Sequence, residues 1–420
     1  MFFLYQLFIT ILLIFSPLVI FFRILKKKED IQRYKEKFCL PSKKRFKGNL
    51  LWFHCSSVGE LLSILPLIQE LEKNKFINQI LITTSTLSSS QIFKKFKFKK
   101  TVHQFFPIDS IFFSYKFLNY WKPTIAIFVE SEIWPSIFKS LNKKNISLIL
   151  LNARITKKTF KKWNLIKNFS NSIFKNINIA YPQNKETFNY LKKLNVSKLK
   201  KIGNMKFVND GTNKLPKLNK VLLKNLNFRK IWCASSTHPG EEIICSNVHI
   251  NLKKKYKNLL TIIIPRHVHR VNKIIEEIKS LNLNVALHSS SPKNLDNIDI
   301  YLVDTYGETK KFYQASKIVF MGKSLSGKGG QNPLEPTNLG SAVLHGPNID
   351  NFKDTYKLLD KLKIAHKVNG INSLTNLLNK LIIKPNNKKG YLKIAKMGKK
   401  ILNKTKDEIN SLLNNEIKKT

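Results

Sequence analysis

Acidic side chains follow two predicted strands in the first half of the chain, where they could exchange protons with a bound substrate. Residues 50–55 form an apolar run, and Ser-Ser-Val-Gly-Glu follows it, ending at Glu60. A loop of small residues between a strand and a helix is where α/β sheets bind ligands. Glu60 is therefore a candidate general base, although the helix dipole favours a carboxylate at this position without any function. The same dipole lowers the pKa of Glu60, so partial burial must raise that pKa again if the side chain is to act as a base.

Two further acids follow the predicted strand at 124–130, within Glu-Ser-Glu-Ile-Trp-Pro at 130–135. We expect Glu130, Glu132 or both to line the same crevice, and the alternative is a pair of solvated loop carboxylates. Lys206 comes at the end of the first half, near the predicted hinge. Its ammonium group there could hold a substrate carboxylate or phosphate.

The second half carries a glycine-rich segment of the kind that binds phosphate. Gly-Gly-Gln-Asn-Pro-Leu-Glu-Pro occupies residues 329–336. The glycines permit a tight turn, Asn332 is a good N-cap and Pro333 suits the first helical position, so a helix is expected to start here. Its free N–H groups would face a phosphate, and Glu335 could reach sugar hydroxyls. The alternative is a capped helix in which Asn332 and Glu335 form a capping box and bind nothing.

Other strand-end loops of the second half supply polar groups to the same place. Ser-Ser-Thr-His-Pro-Gly-Glu-Glu at 235–242 marks another helix start after a strand. Arg266 follows the predicted strand at 259–265, and its guanidinium suits a phosphate or a cytosine because its donors form a fixed fork. The loops at 306–308 and 322–324 also follow strand ends. Because these loops converge, a nucleotide site is favoured over a merely capped helix. Two histidines lie close to Arg266 in the sequence, but they lack the third ligand that a metal site needs.

Apolar runs at α/β spacing supply the strands that would position these loops. In order along the chain, they occupy residues 50–55, 80–84, 104–106, 124–130, 146–151, 177–181, 230–234, 259–265, 284–288, 299–304, 318–321 and 342–344. This pattern predicts two doubly wound α/β domains. We assign residues 49–208 to an N-terminal Rossmann-like domain, 209–228 to a polar linker, 229–385 to a C-terminal Rossmann-like domain and 386–420 to a basic helical tail.

The chain of 420 residues is strongly basic, with 74 Lys and Arg against 26 Asp and Glu and a net charge of +48. Such an excess points to nucleic acid or an anionic membrane surface, although compositional drift towards Lys, Asn and Ile explains it equally well. No zinc knuckle or ribonucleoprotein-type aromatic motif accompanies the charge, so basicity alone does not predict nucleic-acid binding. Four cysteines without paired spacing predict neither a zinc site nor a disulfide framework.

Residues 1–22 contain no charged side chain and are followed by Arg23 and three lysines. This length can span a bilayer core as a helix, and the apolar run precedes the positive charge, opposite to the order in a cleaved signal peptide. The charge predicts that the rest of the chain stays on the cytoplasmic side. The alternative is a helix that lies along the membrane surface, helped by Pro17 and the basic residues up to Lys37. We assign 1–22 to an anchor helix and 23–48 to a basic juxtamembrane segment.

Together, these segments resemble the Kdo (3-deoxy-D-manno-octulosonic acid) transferases of lipopolysaccharide assembly. The resemblance spans nearly the whole chain and is carried by residues 57–60, 130–135, 203–206, 236–241, 265–267 and 329–336. It implies a GT-B glycosyltransferase in which two Rossmann-like domains face a cleft, anchored at the inner membrane. It also implies CMP-Kdo as the donor, a lipid A precursor (lipid IVA) as the acceptor, and an inverting transfer.

The same resemblance implies roles for individual residues. Glu60 corresponds to the general base, and Glu130 and Lys206 to the pair that stabilises the transition state. The residues that correspond to the CMP-binding segments are Pro265, Arg266, Tyr306, Gly307, Glu308, Asn332, Pro333, Leu334 and Glu335. The chain departs from the family at Tyr306, where Met is usual, at Gln331, where His is usual, and at Val268-His269, where Pro-Glu is usual. These departures concern details of donor binding.

No Asp-x-Asp occurs in the chain, so a phosphate-bridging metal is not required, and no cofactor is expected. Anionic membrane lipid is an expected partner and nucleic acid is not. Two other functions stay open at this point. One is another GT-B enzyme, such as a nucleotide-sugar epimerase or a UDP-sugar transferase. The other is a membrane-tethered basic binding protein without catalysis.

Overall fold

The computed structural model describes residues 1–208, 218–383 and 388–419. The chain forms two compact units, one made of Met1–Asp210 with Met397–Thr420 and the other of Gly211–Lys396.

The first unit is built on a six-stranded parallel sheet. Its strands are β1 (Leu50–His54), β2 (Gln79–Thr84), β3 (Thr101–Phe105), β4 (Ile125–Val129), β5 (Ser147–Ala153) and β6 (Ile179–Pro182). They lie in the order β3-β2-β1-β4-β5-β6, which reverses direction between β1 and β4. In such doubly wound sheets the ligand site lies at the carboxyl ends of the strands at this reversal, so the loops after β1 and β4 mark the expected place.

Helices flank this sheet. They are α1 (Phe2–Leu25), α2 (Val58–Leu71), α3 (Leu87–Phe93), α4 (Ile111–Trp121), α5 (Pro135–Lys143), α6 (Lys157–Leu165), α7 (Lys167–Phe174) and α8 (Lys185–Lys193). Five of them begin where a Ser, Thr or Asn side chain accepts a backbone N–H three residues on; these N-caps are Ser57, Thr86, Ser110, Thr156 and Asn184. A capping side chain satisfies an N–H that the helix leaves without a partner, which explains why the helices start at these residues.

The core of the first unit is apolar on both sides of the sheet. Every residue of β1 and β4 is buried, as parallel strands require when helices cover both faces. Trp52 of β1 lies at the centre, with its ring centroid 4.7 Å from that of Phe117 and 5.1 Å from that of Phe128. This burial explains why the strands were recognisable as apolar runs.

The N-terminal helix α1 is the single helix in the described part of the chain that is long and apolar enough to cross a membrane. Its first turns contact the body of the first unit, and its last turn pairs with the segment that directly follows it. The Tyr5 hydroxyl donates to Asp109 Oδ2 at 2.6 Å, Gln6 Nε2 donates to Ser136 Oγ at 2.8 Å, and Arg23 Nε pairs with Glu29 at 2.9 Å. The apolar side chains between these ends are mostly exposed.

The second unit contains a seven-stranded parallel sheet. Its strands are β7 (Lys230–Thr237), β8 (Leu259–Pro265), β9 (Val285–Leu287), β10 (Ile300–Leu302), β11 (Ile318–Met321), β12 (Ala342–His345) and β13 (Ala365–Lys367). The order is β13-β12-β11-β7-β8-β10-β9, with the reversal between β11 and β7. The loops after β7 and β11 therefore lie at the expected ligand site of this sheet.

The helices of the second unit are α9 (Lys220–Asn227), α10 (Glu241–Lys253), α11 (Val271–Lys279), α12 (Thr309–Ala315), α13 (Leu334–Asn338), α14 (Lys353–Lys361) and α15 (Ile371–Ile383). Helix α16 (Lys388–Ile417) follows, and its residues from Met397 onwards belong to the first unit. Residues 209–217 of the proposed linker lie outside the described residues, and most of its remainder forms α9, which buries Leu222 and Leu226. The exact domain boundaries stay predictions.

Candidate active site

Glu60 is held at the carboxyl end of β1 by the first turn of α2. The Ser57 hydroxyl accepts from the Glu60 N–H at 3.3 Å, and Glu60 Oε2 accepts from the backbone N–H groups of Ser56 at 2.7 Å and Ser57 at 3.5 Å. This reciprocal arrangement is a capping box. The cap restrains the carboxylate at the point where the strand order reverses.

The surroundings of Glu60 raise the pKa of its carboxyl group to about 7. Burial is the largest cause, followed by the negative charges of Glu132 and Glu130, and the hydrogen bonds from Ser56 and Ser57 oppose them. Burial thus outweighs the stabilisation expected from the helix start. A carboxyl group that titrates near neutral pH can accept a proton effectively under physiological conditions.

Glu130 and Lys206 form an ion pair beside this position. Lys206 Nζ lies 2.6 Å from Glu130 Oε1, and both side chains are largely buried. Glu130 follows β4 and has a φ of +58°, which is strained for a residue with a side chain. Asn152 also has a positive φ, of +50°. Its Oδ1 accepts the Met205 N–H at 3.0 Å, and its Nδ2 lies 3.5 Å from Glu130 Oε1. The ends of β4 and β5 therefore hold the carboxylate and the backbone next to the lysine.

Glu132 is anchored by two aromatic residues. His54 Nε2 lies 3.2 Å from Glu132 Oε2, and Trp134 Nε1 donates to the same oxygen at 2.9 Å. Burial lowers the pKa of His54, and its other ring nitrogen lies 3.0 Å from Thr83 Oγ1. His54 and Asn152 are neighbours of the site that the sequence did not predict. The sequence feature that could have indicated both residues is a polar side chain at or near the end of an otherwise apolar strand.

In the second unit, Pro265 ends β8 and Arg266 follows it with an exposed side chain. The Arg266 N–H donates to the Thr237 carbonyl at 3.1 Å, which ties this loop to the end of β7. The guanidinium is therefore carried on a fixed backbone at the carboxyl edge of the sheet. It is accessible to a bound anion.

The loop after β10 presents residues 306–308. Tyr306 is 74% exposed, Gly307 has a φ of +87° and Glu308 pairs with Lys311 at 2.7 Å and with His288 at 3.6 Å. The positive φ explains the glycine in this turn. Lys311 already pairs with the Glu308 carboxylate, so a ligand would meet the backbone of this loop or the exposed tyrosine ring more readily than a free carboxylate.

The glycine-rich segment forms the expected tight turn, and a short helix follows it. Gly329 and Gly330 have φ values of +94° and +65°, and a Cβ on Gly330 would lie 2.9 Å from the Asn348 carbonyl oxygen. The prediction that Asn332 is the N-cap was wrong. Helix α13 has five residues and its N-cap is Pro333; Asn332 Oδ1 instead accepts the Leu334 N–H at 3.1 Å. A helix this short has little dipole, so any phosphate contact here depends on individual N–H groups and side chains.

The structure places the sequence-predicted residues at the carboxyl edges of two sheets, one in each unit. Glu60, Glu130 and Lys206 lie on the first unit, with Glu132 close enough to influence Glu60. The nine predicted nucleotide-binding residues lie on the second unit, after β8, after β10 and around the start of α13. In the described ranges, no group of three or more His, Cys, Asp or Glu residues could hold a metal ion.

The fold is shared with a solved glycosyltransferase and a solved nucleotide-sugar epimerase. A glycosyltransferase from Rickettsia africae matches 89% of this chain and 100% of its own, at 12% identity and a TM-score of 0.56. A UDP-GlcNAc 2-epimerase from Neisseria meningitidis matches 84% of this chain and 98% of its own, at 15% identity and a TM-score of 0.55. At these identities the likeness concerns the fold alone. The architecture is GT-B.

Sequence similarity identifies the family within this fold. The family model for 3-deoxy-D-manno-octulosonic-acid transferase (kdotransferase) matches residues 32–209. The 3-deoxy-D-manno-octulosonic acid transferase of Rickettsia bellii is 33% identical over 394 residues, which cover 91% of this chain and 93% of the relative. The chain belongs to the 3-deoxy-D-manno-octulosonic acid (Kdo) transferases, glycosyltransferases of lipopolysaccharide synthesis.

Proposed function

We propose that this enzyme transfers Kdo, with inversion, from CMP-Kdo to a lipid A precursor of the lipid IVA type, with Glu60 as the general base. The observation that carries the proposal is the Glu60 carboxyl group, fixed at the reversal point of the first sheet with a pKa of about 7. The family membership supports the assignment of Kdo as the sugar that is transferred.

In this mechanism Glu60 takes the proton of a primary hydroxyl on the acceptor sugar as its oxygen attacks the anomeric carbon of Kdo. The bond from that carbon to the CMP phosphate oxygen breaks, and its electron pair leaves with CMP. The transition state resembles an oxocarbenium ion and carries growing negative charge on the phosphate. The Glu130–Lys206 pair offers a carboxylate for the developing cation and an ammonium for the negative charge.

The second unit holds the nucleotide in this proposal. Arg266 meets the phosphate with its exposed guanidinium, and the segments at 306–308 and 332–335 bind the remainder of CMP. The tight approach of Gly330 to the Asn348 carbonyl leaves no room for a side chain in this turn. Because only glycine fits at this position, the backbone of the turn keeps one conformation beside the nucleotide.

We further propose that transfer requires neither a metal nor another cofactor, because Lys206 and Arg266 supply the positive charge that a phosphate-bridging metal would provide. The absence of Asp-x-Asp from the sequence agrees with this. Activity that is lost in EDTA and restored by a divalent cation would contradict it. Nucleic acid has no part in the proposed function.

We also propose that α1 attaches the enzyme to the cytoplasmic face of the inner membrane through anionic lipid, and that it lies along the membrane surface. Its first turns contact the first unit through Tyr5 and Gln6, and its exposed apolar residues form a surface that lipid can cover. Arg23 and the lysines at 26–28 follow this surface directly. This arrangement would bring the acid–base residues close to a lipid-borne acceptor.

Replacing Glu60 by Ala tests the proposed mechanism. Removal of the base should lower transfer of Kdo by a factor of about 10²–10⁴, whereas the affinity for CMP should stay within about twofold. Transfer is measured by mass spectrometry of the lipid product and CMP binding by calorimetry, both with the full chain in detergent. Glu70→Gln, which removes a partly exposed carboxylate from the same helix, is the matched control.

A fully active Glu60→Ala enzyme would overturn the general-base role. The nature of the nucleotide is tested separately by competition. CMP should inhibit transfer and UDP should not, since the proposed donor is a cytidine nucleotide. Preferential inhibition by UDP would favour a UDP-sugar enzyme of the same fold.

A further inference from the structure

Two adjacent glutamates begin α10, and neither touches any residue of the proposed reaction. Glu241 and Glu242 follow the His-Pro-Gly turn after β7, and both are completely buried. Buried carboxylates require strong partners because removal from water is unfavourable for a charge. The partners of these two side chains indicate what the pair does.

Glu241 is surrounded by backbone N–H groups. Its Oε2 accepts from His238 at 3.0 Å and from Lys323 at 2.7 Å, and its Oε1 accepts from Ser324 and Leu325 at 3.0 Å and from Ser326 at 3.4 Å. Four of these five donors belong to consecutive residues of the loop that follows β11. Consecutive N–H groups that point to one place form a concave anion site, and here the anion is a side chain of the same unit.

Glu242 holds a different loop. Arg270 donates to it with both terminal nitrogens, at 3.0 and 3.3 Å, and the Arg270 side chain is only 14% exposed. A two-pronged ion pair restricts orientation as well as distance. Arg270 lies four residues after Arg266, and its N–H donates to the His267 carbonyl at 3.1 Å, so the pair fixes the short turn that leads away from Arg266.

Two of the loops held in this way, those after β7 and β11, flank the reversal point of the second sheet. Gly322 lies so close to the end of β7 that a Cβ there would be 2.4 Å from the Ser236 carbonyl oxygen. Ser324 in turn binds the Gly346 N–H through its hydroxyl at 2.8 Å. One pair of carboxylates thus links the loops after β7, β8 and β11, and the last of these leads into the glycine-rich turn.

We propose that Glu241 and Glu242 are positioning residues for donor binding: each holds one strand-end loop, so that Arg266 and the segment at 329–336 present their groups to the nucleotide in a fixed arrangement. The inference rests on the proposed CMP-Kdo site in the second unit. The two glutamates themselves do not contact the donor. They act through the backbone of residues 323–326 and through Arg270.

The test compares donor and acceptor kinetics in Glu241→Gln and Glu242→Gln, using the full chain in detergent. A glutamine has nearly the same shape but turns an N–H₂ group towards donors that need an acceptor. We expect the KM for CMP-Kdo and the dissociation constant for CMP to rise about tenfold or more, as loss of charge-assisted hydrogen bonds implies. The acceptor KM and the kcat at saturating donor should stay within about twofold, because only ground-state donor binding is weakened.

Glu276→Gln is the matched control, since it removes an exposed carboxylate from α11 of the same unit and should change none of these constants. Hydrogen exchange supplies a second readout. The amides of residues 323–326 should exchange faster in Glu241→Gln than in the wild type. In Glu242→Gln the same amides should exchange at the wild-type rate. This distinction follows because each glutamate holds its own loop.

Equal changes in donor and acceptor KM, or unchanged CMP affinity in both variants, would overturn the positioning role. Loss of folding in both variants would also overturn it, because the pair would then support the whole unit rather than the donor loops. Failure of the wild-type chain to bind CMP is a different outcome. It would refute the proposed function rather than this inference alone.

Discussion

At the scale of single residues, Glu60 combines two demands that usually conflict. The capping box gives its carboxylate two backbone donors, which favours the charged form, whereas burial and two neighbouring acids favour the protonated form. The second influence prevails and the pKa rises to about 7. The same residue can therefore start a helix and exchange a proton, so a structural role and a catalytic role do not exclude each other here.

The pH dependence of kcat/KM should report this group. A general base must be deprotonated, so kcat/KM should rise about tenfold per pH unit below pH 7 and level off above it. In Glu132→Gln a negative neighbour is lost, the pKa of Glu60 should fall, and the acidic limb should move to lower pH. Rates measured from pH 5 to 9 on wild type and variant check this.

Glu70→Gln serves as the control for that profile, since Glu70 is not among the groups that influence the pKa of Glu60. An acidic limb that stays in place in Glu132→Gln would contradict the electrostatic explanation. A limb that moves to higher pH would contradict its sign.

At the scale of elements, helix α1 is unusual because polar residues in its first turns are satisfied by the first unit. Asp109 accepts from Tyr5 and from the N–H groups of Ser136 and Ile137 at the start of α5. A helix that crossed the bilayer would carry Tyr5 and Gln6 to the far side and leave these contacts unmade. The hydrogen bonds therefore favour a helix that lies along the surface.

An N-terminal epitope tag tests the orientation of α1. If the helix lies along the surface, protease should remove the tag from inside-out membrane vesicles and not from right-side-out ones, because the tag and the enzyme body share one side. A tag at the C-terminus, on the enzyme body, is the control. Digestion of the N-terminal tag in right-side-out vesicles only would show instead that α1 crosses the membrane.

At the scale of the whole molecule, the surface is strongly positive, as the net charge of +48 indicates. Seven acids are buried among the described residues: Glu29, Glu36, Asp109, Glu130, Glu241, Glu242 and Asp299. Most of the buried glutamates neutralise arginines or lysines within the fold, as Glu36 does with Arg33. Many lysines stay exposed, including Lys157, Lys158, Lys161 and Lys162 on α6.

Helix α6 lies near the start of α1, because Trp163 of α6 packs on Phe169 and Phe169 packs on Tyr5 of α1.

Binding to vesicles of anionic lipid should therefore depend on these lysines and on salt. Changing the four lysines of α6 to glutamine should weaken binding, because each lysine near an anionic surface contributes about 1 kcal/mol, and added salt should weaken it in the wild type. Flotation with anionic and zwitterionic vesicles measures the effect. The control changes Lys254, Lys255, Lys257 and Lys279, all exposed on the second unit, and an equal loss in this control would contradict a specific lipid-facing surface.

The sequence alone determined most of the strands, because strands of a parallel sheet covered on both faces must be nearly continuous apolar runs. The predictions for β8 and β11 match residue for residue, whereas β13 escaped notice because its three residues are short and partly polar. Helix α9 was assigned to a linker because its polar residues obscured two buried leucines. The local motif at 57–60 likewise sufficed to place Glu60, since a capping box depends on neighbouring residues only.

Only the tertiary structure decided what these residues touch. Lys206 reaches Glu130 from a distant segment, and Glu241 meets the loop after β11 from 82 residues away along the chain. The pKa of Glu60 depends on burial and on acids carried by another strand. Contacts and electric fields between remote segments arise from the packing of the whole unit, and no local pattern of residues encodes them.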